Sequence, residues 1–312
     1  MSLQIPTIDM SAGLDHPDVI AALGEACAQW GFFQLVGHGV PLARRRELFQ
    51  AMQDFFALPA ADKQALLRDD TNFWGYYDKE LTKNKVDRKE IYDIDANLDN
   101  LAARAHLGSN LQVPWPAGLP TLRPVVEGWL QQCETLSQTL LGSICAALGS
   151  APESLNPFFL TQHSSFLRFN YYPPTSEQAR RAGDLGIHPH TDAGALTVLV
   201  QDEVPGLQVG KDDQWHTVVP EPDSFIINIG DMMQVWSNDR FIAPEHRVLA
   251  SGDQPRYSAP YFYNPSYETI CVPLVGDTAR YRPIRWGEFR FGRAAGDYAD
   301  LGEEIQISHY RV

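Results

Sequence analysis

This chain of 312 residues is short of cysteine, of long apolar runs and of basic charge, and each shortage excludes something. Its four cysteines, Cys27, Cys133, Cys145 and Cys271, are dispersed with no C-x-x-C pair. That rules out a disulfide scaffold, argues against a thiolate zinc site, and leaves buried reduced thiols as the expected state. No stretch approaches the ~18 uninterrupted apolar residues that a membrane span needs. The opening MSLQIPTIDMS has neither the basic flank nor the apolar core of a secretory signal, so a cytoplasmic protein without a membrane partner is expected. With 25 basic against 39 acidic residues, the formal charge of −14 argues against broad binding to nucleic acid. A local basic pocket is compatible with that balance. The length suits one large domain or two closely fused ones, and oligomeric state is not legible.

What is there begins with helices. In PDVIAALGEACAQWG the apolar Val19, Ile20, Leu23, Cys27 and Trp30 recur at helical spacing, with Pro17 near the start and Gly31 just past the end. FFQLV follows as a short strand stopped by Gly37-His38-Gly39. LARRRELFQAMQDFFAL repeats the helical pattern through Leu42, Leu48, Phe49, Met52 and Phe56. A third helix is expected over roughly residues 121 to 149, framed by Pro120 and Gly149. Residues 72 to 97, rich in aromatics and lysine, read as loops with one short strand. From about residue 163 the texture changes to short β-rich runs: SSFLRFNYY, LTVLVQ, GLQV, SFIINIG, MMQVWS, HRVLA and YSAPYFYN. Gly, Pro, Asn and Asp separate them at the spacing of a sandwich or closed barrel. The expected class is mixed α+β, an α-rich N-terminal half wrapped on a β-rich core.

The β part contains GIHPHTDAG, residues 186 to 194, with His188, His190 and Asp192 at alternate positions. Alternate side chains of a strand share a face, so the run is a candidate metal site. A further ligand must come from elsewhere, and His163, His216, His246 and His309 are available. His246, in APEHRVLA, begins a β-like run far enough downstream to return on the opposite wall of a barrel. Two histidines and a carboxylate leave about half of an octahedron open, which suits non-haem Fe(II) and its co-substrates. The same donors can hold zinc, so ligand type alone does not decide. A binuclear zinc hydrolase would carry a histidine directly after the aspartate, where this chain has Ala193, and would alternate helices with strands. His16, His106, His216 and His309 read as structural.

At this point the chain resembles the Fe(II)/2-oxoglutarate-dependent dioxygenases of the isopenicillin N synthase-like family. The resemblance runs in family order through IPTIDMS, ACAQWGFFQLVGHGVP, FFALPAADK, RFNYYPP, HPHTDAGALTVLVQDEVPGLQV, FIINIGDMMQVWSNDRF, EHRV and PRYSAPYFYNP. It implies a double-stranded β-helix (jelly-roll) core with flanking helices. The family's H-x-D and distant H fall on His190, Asp192 and His246, which the resemblance makes the Fe(II) ligands. Its R-x-S falls on Arg256 and Ser258. Two residues apart on a strand, they share a face and can grip one carboxylate of 2-oxoglutarate, where a forked guanidinium outdoes a lysine. Similarity further implies that Tyr172 donates to the co-substrate and that Asn170 lies beside the iron. Arg168 shares their parity, so it either projects into the same cavity or forms a structural ion pair. His188 is the extra histidine: parity faces it inward, to touch substrate or support a ligand, against the reading of a structural histidine bonded to backbone. Phe262, four positions after Ser258, is a candidate wall of the substrate pocket, although Pro260 intervenes. Tyr77, with Tyr76 and Lys79, falls in a region that often forms a lid in this family.

The implied reaction is oxidation, by default hydroxylation, of a small organic molecule, with O2 and 2-oxoglutarate as co-substrates and succinate and CO2 as co-products. The chemistry runs through the metal, and no separate acid or base is expected. The family's ring-forming oxidases keep R-x-S without consuming 2-oxoglutarate, and a non-catalytic jelly-roll binding module is the reading from another class; the full residue set argues against the latter. The expected segments are an N-terminal α/β region over 1–100, a long helix with its connections over 101–162, the jelly-roll core over 163–275 and a closing segment over 276–312. Beyond Gly292 the similarity weakens, and a helix packing back over the N-terminal part is expected. Lys79, Lys83, Lys85, Arg88 and Lys89 hint at an anionic substrate, but Glu80, Asp87 and Glu90 interleave with them.

Overall fold

The helical periodicity of the N-terminal half is realised in the computed structural model, which describes residues 4–69, 72–98, 112–159, 163–296 and 304–312. The chain opens with strand β1 (Thr7–Asp9), helix α1 (Pro17–Gln29), strand β2 (Phe32–Val36) and helices α2 (Leu42–Phe56) and α3 (Ala60–Gln64). Pro17 occupies the first turn of α1, where its missing N–H costs nothing, and the His16 ring accepts from the Asp18 N–H as a cap. His106 and much of the connection after residue 98 lie outside the described residues.

Residues 72–97 are more ordered than expected. Strands β3 (Gly75–Tyr77) and β6 (Glu90–Asp95) pair with each other, and β4 (Leu81–Thr82) and β5 (Lys85–Val86) form a hairpin between them. The charged residues that suggest solvent here are instead buried against one another: Glu80, Asp87, Lys89, Asp93 and Asp95 are all interior. The long helix α4 (Leu122–Ala147) falls where expected. Its buried Val126, Trp129, Leu130, Cys133, Leu136, Leu140 and Ile144 recur every three or four residues and face α1, α2 and the main sheet.

The second half supplies strand β7 (Phe166–Tyr172), helix α5 (Glu177–Arg181) and strands β8 (Leu185–His190), β9 (Leu196–Gln201), β10 (Leu207–Lys211), β11 (Gln214–Thr217) and β12 (Phe225–Ile229). Helix α6 (Asp231–Trp236), strands β13 (His246–Leu249), β14 (Arg256–Tyr263), β15 (Ile270–Cys271) and β16 (Ile284–Arg285), and helix α7 (Trp286–Gly296) follow. The MMQVWS run is therefore a helix and not a strand. Met232, Met233, Val235 and Trp236 are all buried, so the run carries no period that tells one from the other.

An eight-stranded sheet, in the order β1-β2-β12-β9-β14-β7-β6-β3, and a four-stranded sheet, β11-β10-β13-β8, form the expected jelly roll. Only β1 and β2 run parallel among the paired strands described. The large sheet packs its outer face on α1, α2 and α4, and one apolar cluster runs through those helices, the sheet, α6 and α7. A smaller cluster, including Phe32, Tyr172, Leu207, Val209 and Val248, joins the two sheets beside a cavity. All four cysteines are buried and unbonded, and no helix among the described residues is long and apolar enough to cross a membrane.

Candidate active site

The cavity between the sheets is walled by alternate residues of facing strands. Phe166, Arg168, Asn170 and Tyr172 come from β7, Thr197 and Leu199 from β9, and Arg256, Ser258, Pro260 and Phe262 from β14. The small sheet adds Ile187, His190, Leu207, His246 and Val248.

In the pairing of β8 with β13, His190 stands opposite His246, and Asp192 follows in the turn towards β9. The candidate ligand atoms of the three lie within 4.8 Å of one another. His190 Nε2 and His246 Nε2 are 3.7 and 3.6 Å from Asp192 Oδ1. Each imidazole is held through its other nitrogen: His190 Nδ1 is 2.8 Å from the His188 carbonyl, and His246 Nδ1 is 3.2 Å from that of Pro244. A carbonyl only accepts, so both rings carry their proton on Nδ1 and turn a lone pair inward on Nε2. Asp192 is divided in the same way. Its Oδ2 accepts from Thr197 Oγ1 at 2.5 Å and Asn228 Nδ2 at 2.7 Å, which leaves Oδ1 to face the imidazoles.

Burial, followed by the neighbouring His246, pushes the His190 imidazole down to about 3 and keeps it neutral. Burial alone would raise Asp192, but His246 and His190, with the Thr197 and Asn228 hydrogen bonds, hold it below the usual carboxylate value. The turn that carries Asp192 is clamped by backbone: the Asp231 N–H donates to the Asp192 carbonyl at 2.7 Å, and Met232 N–H to that of Gly194 at 3.0 Å. A Cβ at Gly230 would stand 2.2 Å from the Gly194 oxygen, and one at Gly194 would stand 1.8 Å from Asn264 Oδ1. At Gly230, where the neighbour is backbone, only glycine allows so close an approach.

At the other end of β14, Arg256 stands opposite Tyr172, and Ser258 opposite Asn170. Arg256 is 1% exposed. Its Nε donates to the Val204 carbonyl at 3.1 Å and Nη2 to Gln201 Oε1 at 2.8 Å, and its guanidinium lies 4.9 Å over the Tyr172 ring. Nη1 has no hydrogen-bond partner, and neither does Asn170 Oδ1. Arg256 makes no ion pair with a carboxylate among the described residues. Asp202 lies within electrostatic reach of the guanidinium but makes no ion pair with it, so the buried, unpartnered Nη1 is left to receive a further acceptor. Two imidazoles, one carboxylate and a waiting guanidinium suit Fe(II) together with a dicarboxylate.

The tentative positions divide. Phe262 lines the cavity and stacks on Phe166 at 4.6 Å, so Pro260 leaves the parity intact. Arg168 does both things expected of it: it lines the cavity and is paired with Asp93 at 2.6 Å and Glu80 at 2.9 Å. His188 is corrected. The register of β8 shifts so that Ile187 pairs with Val248 while His190 pairs with His246, a bulge around Pro189. The bulge reverses parity, putting Ile187 in the cavity wall and turning His188 away to Asp87, whose Oδ1 lies 3.0 Å from its Nδ1. Its partner is a side chain, not backbone. Tyr77 is also corrected: it does not line the cavity, and its ring lies under the Arg68 guanidinium at 4.4 Å. Glu80, Thr82 and Lys89 reach the cavity from that region instead.

Other residues at the site carry weaker sequence signals. Asn228 and Thr197 are polar residues inside apolar strands whose side chains are buried, and such an interruption needs a reason. The closing segment reaches the site through Trp286, Arg290 and Arg293, spaced i, i+4, i+7 on one face of α7, and Glu304 lies beside them. Arg293 pairs with Asp231 and with Glu304, and its Nη2 donates to Thr191 between the two ligand positions. Phe291 of α7 meets Phe73 of the N-terminal part.

Two family models match this chain: the 2OG-Fe(II) oxygenase superfamily over residues 163–265, and the N-terminal region of non-haem dioxygenases in morphine synthesis over residues 5–117. The oxoglutarate-dependent flavonoid 7-O-demethylase 1 of Ocimum basilicum is 35% identical over 298 residues, covering 92% of this chain and 77% of that one. Gibberellin 2-beta-dioxygenase 5 of Oryza sativa subsp. japonica is 32% identical over 320 residues, covering 99% and 88%. The crystal structure of JOX2 in complex with 2OG, Fe and JA superposes with a TM-score of 0.83 at 29% identity, over 99% of this chain and 89% of that one. Full-length Neurospora crassa T7H in complex with alpha-KG superposes with a TM-score of 0.82 at 25% identity, over 93% and 96%.

Proposed function

This chain belongs to the 2OG-Fe(II) oxygenase superfamily and is an Fe(II)- and 2-oxoglutarate-dependent dioxygenase, from which we propose that His190, Asp192 and His246 hold its iron and that Arg256 anchors its co-substrate. Bound there, Fe(II) supplies the activation of O2 that couples decarboxylation of 2-oxoglutarate, to succinate and CO2, to oxidation of a C–H bond.

The chain's own part is placement. The backbone carbonyls behind His190 and His246 hold both rings in the tautomer that offers Nε2. Arg256 Nη1, orphaned and buried, receives the distal carboxylate of 2-oxoglutarate, and this single observation carries the co-substrate assignment. Ser258 adds its hydroxyl to that carboxylate from the same face of β14. Tyr172 donates its phenol nearby, and Asn170, bonded to Ser258 at 3.4 Å, turns its free oxygen to the cavity. The apolar walls, Ile187, Leu199, Leu207 and Val248, exclude water from the reacting centre.

The primary substrate is a small organic molecule. JOX2 and T7H have been crystallised with small molecules, JA and thymine, and a cavity between two sheets supports the same scale of ligand here. Hydroxylation is the default outcome. Metal analysis after anaerobic reconstitution tests the iron site: one Fe(II) per chain is expected, with loss in His190→Ala, Asp192→Ala and His246→Ala. Retention of full iron in any of these three would remove that residue from the ligand set.

A further inference from the structure

Most charged residues that line the cavity are already paired. Lys89 meets Glu80 at 2.6 Å, Arg168 meets Glu80 and Asp93, and Arg293 meets Glu304 at 2.6 Å. Lysines and arginines of the 79–89 region do not supply a spare cation at the cavity: Lys83 is taken up by Glu245 and Arg88 by Asp184. Arg290 differs. It lines the cavity, is half-buried, and forms no ion pair with any described residue.

Its guanidinium lies 5.5 Å over the Phe166 ring. A ring contact offers no hydrogen-bond acceptor atom to match the five N–H donors of a guanidinium, so donors remain for a further partner. Those donors match a carboxylate, two N–H to two oxygens. Phe166 also carries the Arg168 guanidinium at 5.9 Å and stacks on Phe262, so Arg290 adjoins an aromatic pair inside the cavity.

Its position is separate from the co-substrate anchor. Phe262 is six residues from Arg256 along β14, about 20 Å on an extended strand. Phe262 pairs in register with Thr197, the residue that holds Asp192. Phe262 therefore neighbours the proposed metal corner. Arg290 and Phe166 also wall a second cleft with Phe73, Trp74 and Phe291, in which the buried Trp74 Nε1 has no acceptor.

We infer that the primary substrate is a carboxylic acid with an apolar, planar body, its carboxylate held by Arg290 and its body packed against Phe262. The inference rests on the reading of this cavity as the oxygenase active site. It makes Arg290 a specificity-determining residue.

The test uses the full chain loaded anaerobically with Fe(II) and 2-oxoglutarate, titrated by calorimetry with 2-naphthylacetate and trans-cinnamate and with their neutral amides. Each acid is expected to bind at least about tenfold tighter than its amide. That preference falls below about threefold in Arg290→Gln and is partly restored in Arg290→Lys, with melting curves as the control for folding. Equal binding of acid and amide, no binding of either acid, or a preference that survives in Arg290→Gln would overturn the assignment. The oxygenase reading fails separately, if 2-oxoglutarate shows no Fe(II)-dependent binding before any probe is added.

Discussion

At the scale of single residues, the candidate ligands are set by what holds them from behind. Asp192 spends Oδ2 on Thr197 and Asn228, and this division leaves Oδ1 for the proposed metal. Thr197→Val removes one of those donors with little change of shape. Iron affinity is expected to fall roughly 10- to 100-fold, measured by competition with a chelator, while the melting temperature changes little. An unchanged affinity would mean that the hydroxyl does not orient the carboxylate. His188 makes the opposite case. Its side chain serves the buried Asp87, so His188→Ala should cost about 1–3 kcal/mol of stability in urea unfolding, through the acceptor left short of a partner. Its loss of iron affinity should be well below that of His190→Ala. The two histidines look equivalent in H-x-H-x-D. Parity fails to separate them because a bulge is a property of strand pairing, which HPHTD does not display. The spacing of His190, Asp192, His246, Arg256 and Ser258 matches a known pattern, and the structure brings all five to one cavity. Arg290 was not legible, because nothing local distinguishes a cavity-facing arginine from a solvated one.

Among the elements, the closing segment does more than cover the barrel. Arg293 of α7 reaches the buried Asp231 at the start of α6, whose N–H holds the Asp192 carbonyl. Arg293→Met would leave Asp231 buried without its cation. A loss of about 3–5 kcal/mol in urea unfolding is expected. Loss within experimental error would show that the pair contributes nothing net. The last turn of the chain is tied down in a similar way. Arg311 donates to both oxygens of Asp239, at 2.8 and 3.0 Å. Burial alone would raise Asp239, but hydrogen bonds from Arg311, Tyr281 and Gln234 hold it at about 2, against an ordinary 3.8. Because the folded value is the lower one, this stabilisation is complete above about pH 4 and is lost as pH falls towards 2. The stability gap between the protein and Arg311→Gln, measured by urea midpoints, should therefore close over that window. A gap that stays constant would place the effect elsewhere. These ties lie at the weak end of the sequence reading, since they join residues far apart in the chain and follow no period. The helices α1, α2 and α4 lie at the strong end, because a buried stripe imposes its own spacing. The misread α6 and the underestimated residues 72–97 share one cause: burial on all sides erases periodicity, and internally paired charges imitate a solvated loop.

On the scale of the whole molecule, the helices brace the outer face of the large sheet, and the facing inner surfaces of the two sheets share the chemistry. Arg256 and Phe262 belong to one strand, and His190 and His246 to a paired couple on the opposite wall. Rigid strands thus set the separation between the proposed metal corner and the guanidinium anchor. The net charge of −14 surrounds a cavity that presents Arg256 and Arg290, so anions enter against the general field and are selected locally. The most direct test of this account is an anaerobic titration of the metal-free protein with Fe(II) and then 2-oxoglutarate, followed by visible absorption, in parallel with Arg256→Ala. A weak charge-transfer band is expected only when both are present, and Arg256→Ala should need on the order of 10- to 100-fold more 2-oxoglutarate to reach it, as the loss of a charge-assisted contact implies. Failure of the band to form, or its formation at the same 2-oxoglutarate concentration without Arg256, would contradict the proposed placement of the co-substrate.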